Sequence, residues 1–229
     1  MRAQPRRSKA RAYLLLSRVS NLPTVWTNVL AGTIAARAAV DAAAFTAIAT
    51  GVSLMYVGGM FLNDGFDAAF DARHRPDRPI PNGDVARGEA LTVGAGLLLA
   101  GTAIASSSLS QAAWAGALAL AILLYDVTHK WTRAAVLAMG ACRGLIYLIA
   151  GAGAPLAAAL VLTIYVIGIT GVARLVGQRA GLLMPILVAG ISIVDAAVIL
   201  ASGGTVALAV GASLGFALTL LLQRVVPGT

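Results

Sequence analysis

The chain has 229 residues, of which 59% are hydrophobic and only 11% charged, with a formal net charge of +8. Soluble domains are about 25% charged, so the polar residues here cannot cover a globule, and the soluble, disordered, fibrous and disulfide-framework classes fall away. A single cysteine, Cys142, excludes an internal disulfide and a cysteine metal cluster. What remains is an all-α, polytopic membrane protein.

Residues 1–17 read as a basic tail carrying Arg2, Arg6, Arg7, Lys9 and Arg11. Basic residues ahead of an apolar stretch have the order of a secretory leader. That stretch is span-length and lacks a small-residue cleavage site, so it is read as a retained helix anchored by the tail. From residue 18 to 229 the chain reads as one transmembrane domain. A helical span needs about 20 mostly apolar residues. Eight are predicted, at 19–39, 43–62, 88–106, 111–128, 134–152, 155–173, 181–201 and 204–223. Short breaks such as Ser106-Ser107-Ser108 and Ser202-Gly203-Gly204 carry turn signals.

In the first span, Asn28 places a polar group toward the bundle. The second span runs into Asn63-Asp64-Gly65-Phe66-Asp67-Ala68-Ala69-Phe70-Asp71 at the head of a long charged break, 63–87. Only nine residues of the chain are acidic, and six of them fall between Asp64 and Glu89. The i, i+3, i+7 spacing of Asp64, Asp67 and Asp71 puts three carboxylates within about 60° on a helix. Such a stripe repels itself unless cations neutralise it. Hard divalent ions such as Mg²⁺ take carboxylate oxygens together with substrate phosphates, so the stripe is a candidate Mg²⁺–diphosphate platform.

Further along, Tyr125 and Asp126 end the fourth span, and Lys130 follows. Arg143 lies inside the fifth span and Asp195 inside the seventh; ionisable groups in a span are functional by default. His74 and His129 are read as loop residues, too few and too far apart for a zinc site. If the spans are right, sixteen Lys and Arg fall on one side and only Arg37 on the other. By the positive-inside rule both termini and the charged break face the cytoplasm. The net charge therefore signals topology and not nucleic-acid binding.

Asn63-Asp64-x-x-Asp67-x-x-x-Asp71 followed by Arg78-Pro79-Ile80-Pro81-Asn82-Gly83 resembles the UbiA superfamily of intramembrane prenyltransferases, with spacing most like the chlorophyll synthase type. Arg18 to Gly32 is similar to the family's first helix, and Tyr125 to Lys130 sits where the family often has a Tyr and a basic residue. The resemblance implies a helical bundle with an apolar cavity, and Mg²⁺-dependent transfer of a prenyl group from an isoprenoid diphosphate to a lipophilic or aromatic acceptor. It implies that Asp64, Asp67 and Asp71 hold Mg²⁺ and act in catalysis with Lys130; Arg143 is read as a further catalytic residue from its position inside a span. Asn63, Arg75, Arg78 and Lys130 would contact the diphosphate. From their positions Asn28, Tyr125, Asp126 and Asp195 are read as candidates for the acceptor pocket. Asp195 is equally read as a hydrogen-bonded packing residue, Asp126 as a pair with Lys130 and Asn28 as a helix–helix hydrogen bond.

The family's second Asp motif is missing. Residues 170–181 contain no acid, and Arg174 and Arg179 stand in that loop; these are expected to contact the diphosphate directly. The same gap leaves two alternatives: a non-catalytic isoprenoid- or lipid-binding protein, or an intramembrane terpene cyclase. A CDP-alcohol phosphotransferase is excluded, because Asp64-Gly65 is not followed by that class's later Gly-x-x-x-Asp-x-x-x-Asp segment. An Ala- and Arg-rich composition points to a GC-rich bacterial genome, hence to the inner membrane. Oligomeric state is not written in the sequence.

Overall fold

A computed structural model describes residues 6–176, 181 and 183–228, and among these residues the regular structure is helical, with no strand. In chain order the helices are α1 Lys9–Ser17, α2 Leu22–Ala35, α3 Ala42–His74, α4 Arg87–Ile104, α5 Leu109–Thr128, α6 Ala135–Ala150, α7 Leu156–Val176, α8 Leu183–Ala189, α9 Ile191–Ala201 and α10 Val206–Gln223. Among the described residues five segments suffice, by length and composition, to cross a membrane: α3, α5, α7, the run Leu183–Ala201 and α10. Their outer faces show large apolar side chains such as Leu109, Leu160, Ile164 and Leu218, the surface expected of helices bathed in lipid. The chain is an integral membrane protein.

Four expected elements differ in the structure. The basic tail is not a plain extension: Ser8 caps α1 by accepting from Arg11 N, and Ala12 and Leu16 pack against Phe61 of α3. The first span, expected over 19–39, is the 14-residue α2, entered through a 3-10 turn at Val19–Asn21. Arg18 precedes that turn in a left-handed conformation, φ 46° and ψ 40°, unusual for a residue with a Cβ. The seventh span is broken at Gly190 into α8 and α9, and the Tyr165 hydroxyl donates to Leu187 O beside the break.

The second span changes most. Capped by Asp41, which accepts from Ala44 N at 2.7 Å, α3 runs unbroken for 33 residues to His74. At 1.5 Å per residue that is about 50 Å, well beyond the ~30 Å hydrocarbon core. Asn63 to Asp71 therefore continues the helix past the apolar segment, and the loop shrinks to residues 75–86. The helix stops at Arg75 because the next residue is Pro76, which disfavours αR geometry before it.

α2 sits centrally, packed on α3, α6, α9 and α10, while α4 lies along α3. The α3–α4 contact depends on glycine: a Cβ on Gly101 would lie 2.5 Å from Gly51 O, and one on Gly58 would lie 2.7 Å from Gly94 O. Such close backbone approach is the usual basis of packing in lipid, where water does not drive helices together.

Candidate functional site

The carboxylate stripe lies on the inward face of the extended end of α3. Asp64, Asp67 and Asp71 are all buried, whereas Phe66 and Phe70 point outward. Each carboxylate meets a cation from outside α3. Asp64 Oδ1 accepts from Arg18 Nη2 at 2.8 Å and from Arg78 Nη1 at 2.9 Å. The same Arg78 Nη1 reaches Asp71 Oδ2 at 2.9 Å. Asp67 is served from beyond α5, by Lys130 Nζ at 2.6 Å and His129 Nε2 at 3.2 Å. The Asp67 contact raises the His129 imidazole above its ordinary value, against the opposing pull of burial.

The stripe is thus neutralised by the protein's own side chains, in two groups. Arg18, Asp64, Arg78 and Asp71 form one; Asp67, His129 and Lys130 form the other. Among the described residues no three His, Cys, Asp or Glu side chains are placed to hold one metal ion together. Two buried carboxylate oxygens nevertheless lack a partner among the described residues, Asp71 Oδ1 and Asp126 Oδ2. Asp126 is joined to the stripe by its other oxygen, which accepts from Asn63 Nδ2 at 3.1 Å. Unpaired buried carboxylate oxygens are costly, and they are the donor type that hard divalent cations take. The donor set therefore fits Mg²⁺ in chemistry, without being gathered around a single point.

Two hollows meet this region. A polar one of about 410 Å³ is lined by Arg7, Arg18, Asp64, Arg75, Asp77 and Arg78 together with prolines. An apolar one of about 300 Å³ runs into the bundle between α3, α5, α6, α7 and the α8–α9 pair. Its wall includes Tyr125, Asp126 and Arg143, with Val52, Leu118, Ile146, Val166 and Ile169 supplying the apolar surface. Arg18 lines both.

Deeper in the bundle, Asp195 is fully buried. It accepts from Asn28 Nδ2 at 2.9 and 2.8 Å, from the Tyr147 hydroxyl at 2.6 Å and from the Thr27 hydroxyl. Asn28 Oδ1 in turn accepts from Arg143 Nη1 at 3.1 Å. Asn28, Arg143 and Asp195 thus form one network, and only Arg143 of the three lines the cavity.

The structure does not bring Arg174 to the carboxylates. Its guanidinium donates to the backbone oxygens of His129, Thr132 and Arg133 at 3.2–3.4 Å, closing the turn after α5. Arg75 is exposed on the polar hollow, and Arg179 lies outside the described residues. Sequence reasoning missed two participants. Arg18 begins the stretch similar to the family's first helix, and its position at the edge of the first span was the available signal. His129, read as a loop residue, adjoins Lys130 and stacks on Tyr125 with ring centroids 5.0 Å apart.

The fold and the site together define an integral-membrane helical bundle that sets buried carboxylates and cations beside an apolar cavity. The model of the UbiA prenyltransferase family matches residues 22–228, and the chain belongs to that family. Digeranylgeranylglyceryl phosphate synthase of Methanopyrus kandleri is 38% identical over 96 residues, 42% of this chain and 35% of that protein. The enzyme of the same name from Methanoregula boonei is 49% identical over 53 residues, 23% of this chain and 19% of that protein. These matches span about a third or less of the curated relatives' length. Among solved structures, one concerned with digeranylgeranylglyceryl phosphate synthase superposes with a TM-score of 0.63 at 21% identity, covering 95% of this chain and 89% of the other. A UbiA homologue from Aeropyrum pernix gives 0.61 at 17% identity, covering 92% and 95%. The fold is that of the family.

Proposed function

We propose that the protein transfers a prenyl group from an isoprenoid diphosphate to a lipophilic or aromatic acceptor, at the cytoplasmic face of the membrane. The observation that carries this reading is the position of Arg18, which lines both the charged hollow and the apolar cavity. A diphosphate head and a prenyl tail need such a pair of adjoining environments. Family membership and the names of the similar archaeal enzymes support prenyl transfer to a lipid. The sixteen-to-one charge asymmetry supports the cytoplasmic placement and the eight-span topology. The bacterial inner membrane is a reading from composition alone. The unbroken family match across 22–228 supports a single domain.

In the reaction, the bond between C1 of the prenyl chain and the bridging oxygen breaks, and pyrophosphate leaves with the electron pair. The acceptor then bonds to C1 and gives up a proton. Arg78, Arg18 and Lys130 bind the diphosphate oxygens by exchanging carboxylate partners for phosphate, a substitution that charge-assisted hydrogen bonds favour. Mg²⁺ held by Asp64, Asp67 and Asp71 would add charge stabilisation on the leaving oxygens. Asn63 holds Asp126 in place, leaving the free Asp126 oxygen beside the cavity. There it favours positive charge developing at C1. The apolar wall keeps water from the allylic cation.

One observation favours the non-catalytic reading: the stripe is already neutral with Arg18, Arg78 and Lys130 in place. Purified protein with geranylgeranyl diphosphate, assayed with and without a membrane-lipid extract as the source of acceptor, separates the two. Mg²⁺-dependent pyrophosphate release, lost in Asp64→Ala and Asp67→Ala, is the expected result. Absence of release at every donor length, with lipid binding intact, overturns the enzyme reading. Release without acceptor, yielding a hydrocarbon or terpene alcohol, would instead identify a cyclase.

A further inference from the structure

We propose that Arg143 anchors an oxyanion subsite inside the bundle cavity, which takes a lipophilic ligand bearing a carboxylate, phosphate or phenolate oxygen. The inference rests on the prenyl-transfer reading and deepens it: that ligand is the acceptor.

Arg143 is 8% exposed and lies eight residues into α6, about 12 Å along the helix axis from Ala135. A guanidinium has five N–H donors. Among the described residues one hydrogen bond uses them, Nη1 to Asn28 Oδ1 at 3.1 Å, and no carboxylate lies within ion-pair distance. The negative charge nearest in the network, Asp195, stands behind Asn28 with its oxygens occupied by Thr27, Asn28 and Tyr147. Asn28 cannot turn over to release it, because its amide hydrogens would then face the guanidinium's own. The Tyr56 ring lies 5.6 Å from Arg143 Cζ, and the neighbouring wall is Cys142, Ile146 and Val166.

A buried cation with spare donors facing an apolar hollow is unfavourable unless a partner arrives. The partner is not the prenyl tail, which offers no acceptor atom. A bare Arg143 would also disfavour the allylic cation that forms in the same cavity. An anionic oxygen on the acceptor resolves both problems: it pairs with Arg143 and cancels the charge that opposes the allylic cation. The donor's diphosphate has its own cations at the end of α3 and does not need this one.

The test uses the full chain in phosphatidylcholine nanodiscs, without donor, and probes it with dodecanoate, dodecyl phosphate and dodecanol. Cys142 is the chain's single cysteine and lines the cavity, so protection of its thiol from N-ethylmaleimide reports occupancy. Dodecanoate and dodecyl phosphate are expected to protect at concentrations at least ten-fold lower than dodecanol. Arg143→Gln should erase that preference, Arg143→Lys should keep part of it, and Arg78→Gln should leave it unchanged. Equal protection by acid and alcohol, or a preference that survives Arg143→Gln, overturns the proposal. So does a preference lost in Arg78→Gln, which would assign the anion to the charged hollow. Inorganic pyrophosphate, which carries the donor's head without its tail, should leave protection by dodecanoate unchanged; displacement of dodecanoate by pyrophosphate would assign the subsite to the donor head and overturn the acceptor assignment. If Arg143→Gln does not fold, the acid-to-alcohol comparison in the native chain decides. Pyrophosphate release is never read, so a chain that fails as an enzyme can still pass or fail here.

Discussion

Arg18 and Asp64, 46 residues apart, meet at 2.8 Å where the two hollows adjoin. The left-handed backbone of Arg18 turns its side chain there from the junction of α1 and the 3-10 turn. Residues held in such conformations cluster at functional sites. Arg18→Gln removes one of two cations on Asp64 Oδ1 and one phosphate donor. Affinity for geranylgeranyl diphosphate should fall at least ten-fold, about 1.4 kcal/mol, and Arg18→Lys should recover part of it. Equilibrium binding measures both. Unchanged affinity in Arg18→Gln would remove Arg18 from the head site.

Asp126 is buried with Oδ2 unpaired and faces the cavity. Asp126→Asn keeps an oxygen for Asn63 Nδ2 and removes a buried charge, so thermal stability should hold or rise. Turnover should drop by about 10² to 10³, the usual loss on deleting one electrostatic contact to a transition state. A variant stable and fully active in pyrophosphate release would show that Asp126 only packs.

The all-helical membrane class and the carboxylate stripe were legible because both are local. Hydropathy marks apolar segments, and the spacing of Asp64, Asp67 and Asp71 places them on one face of whatever helix they join. The partners were not legible. Arg18 and His129 reach the stripe across 46 and 62 residues, and no periodicity encodes such meetings. The helix end was misplaced for the same reason. Asn63 to Asp71 looks like a polar loop to a hydropathy window, yet its acids stay helical because Arg18, Arg78 and Lys130 neutralise them from outside. Asp195 could be seen as an expensive polar residue in a span, but its hydrogen bonds to Asn28 and Tyr147 depend on how α2, α6 and α9 pack. Arg174 shows the converse: an arginine in a suggestive loop that the fold uses on backbone carbonyls.

The α3–α4 interface offers a paired stability test. Gly101→Val would push a side chain into Gly51 O and the Met55 backbone. Neither can move without separating the helices, so a loss of about 1–3 kcal/mol or more is expected. Gly96, on the same helix, has nothing within 4 Å of an added Cβ. Gly96→Ala should be neutral or stabilising by up to about 1 kcal/mol from helix propensity. Thermal denaturation in detergent with both variants side by side checks the contrast. Equal effects would mean that α3 and α4 do not pack at that distance.

The contact between the N-terminal segment and the 75–86 loop should open in acid. Asp84 Oδ1 accepts from Arg7 N at 3.0 Å and from Asn82 Nδ2 at 2.9 Å, and Oδ2 accepts from Arg7 Nη1 at 3.0 Å. Burial alone would raise the Asp84 carboxyl, but the Arg7 backbone and side-chain bonds with that of Asn82 outweigh it, and the net direction is downward. A carboxyl lowered in the folded state stabilises that state above the ordinary aspartate range, near pH 4. The contribution fades as pH falls through the lowered folded value. Hydrogen exchange over residues 6–16 should therefore be slow and flat from pH 7 to about 4, after correction for intrinsic rates. Below that it should accelerate towards the level of Asp84→Asn, which should exchange fast at every pH. Protection that persists in Asp84→Asn at neutral pH would show that α1 is held by its packing on Phe61 and not by this ion pair.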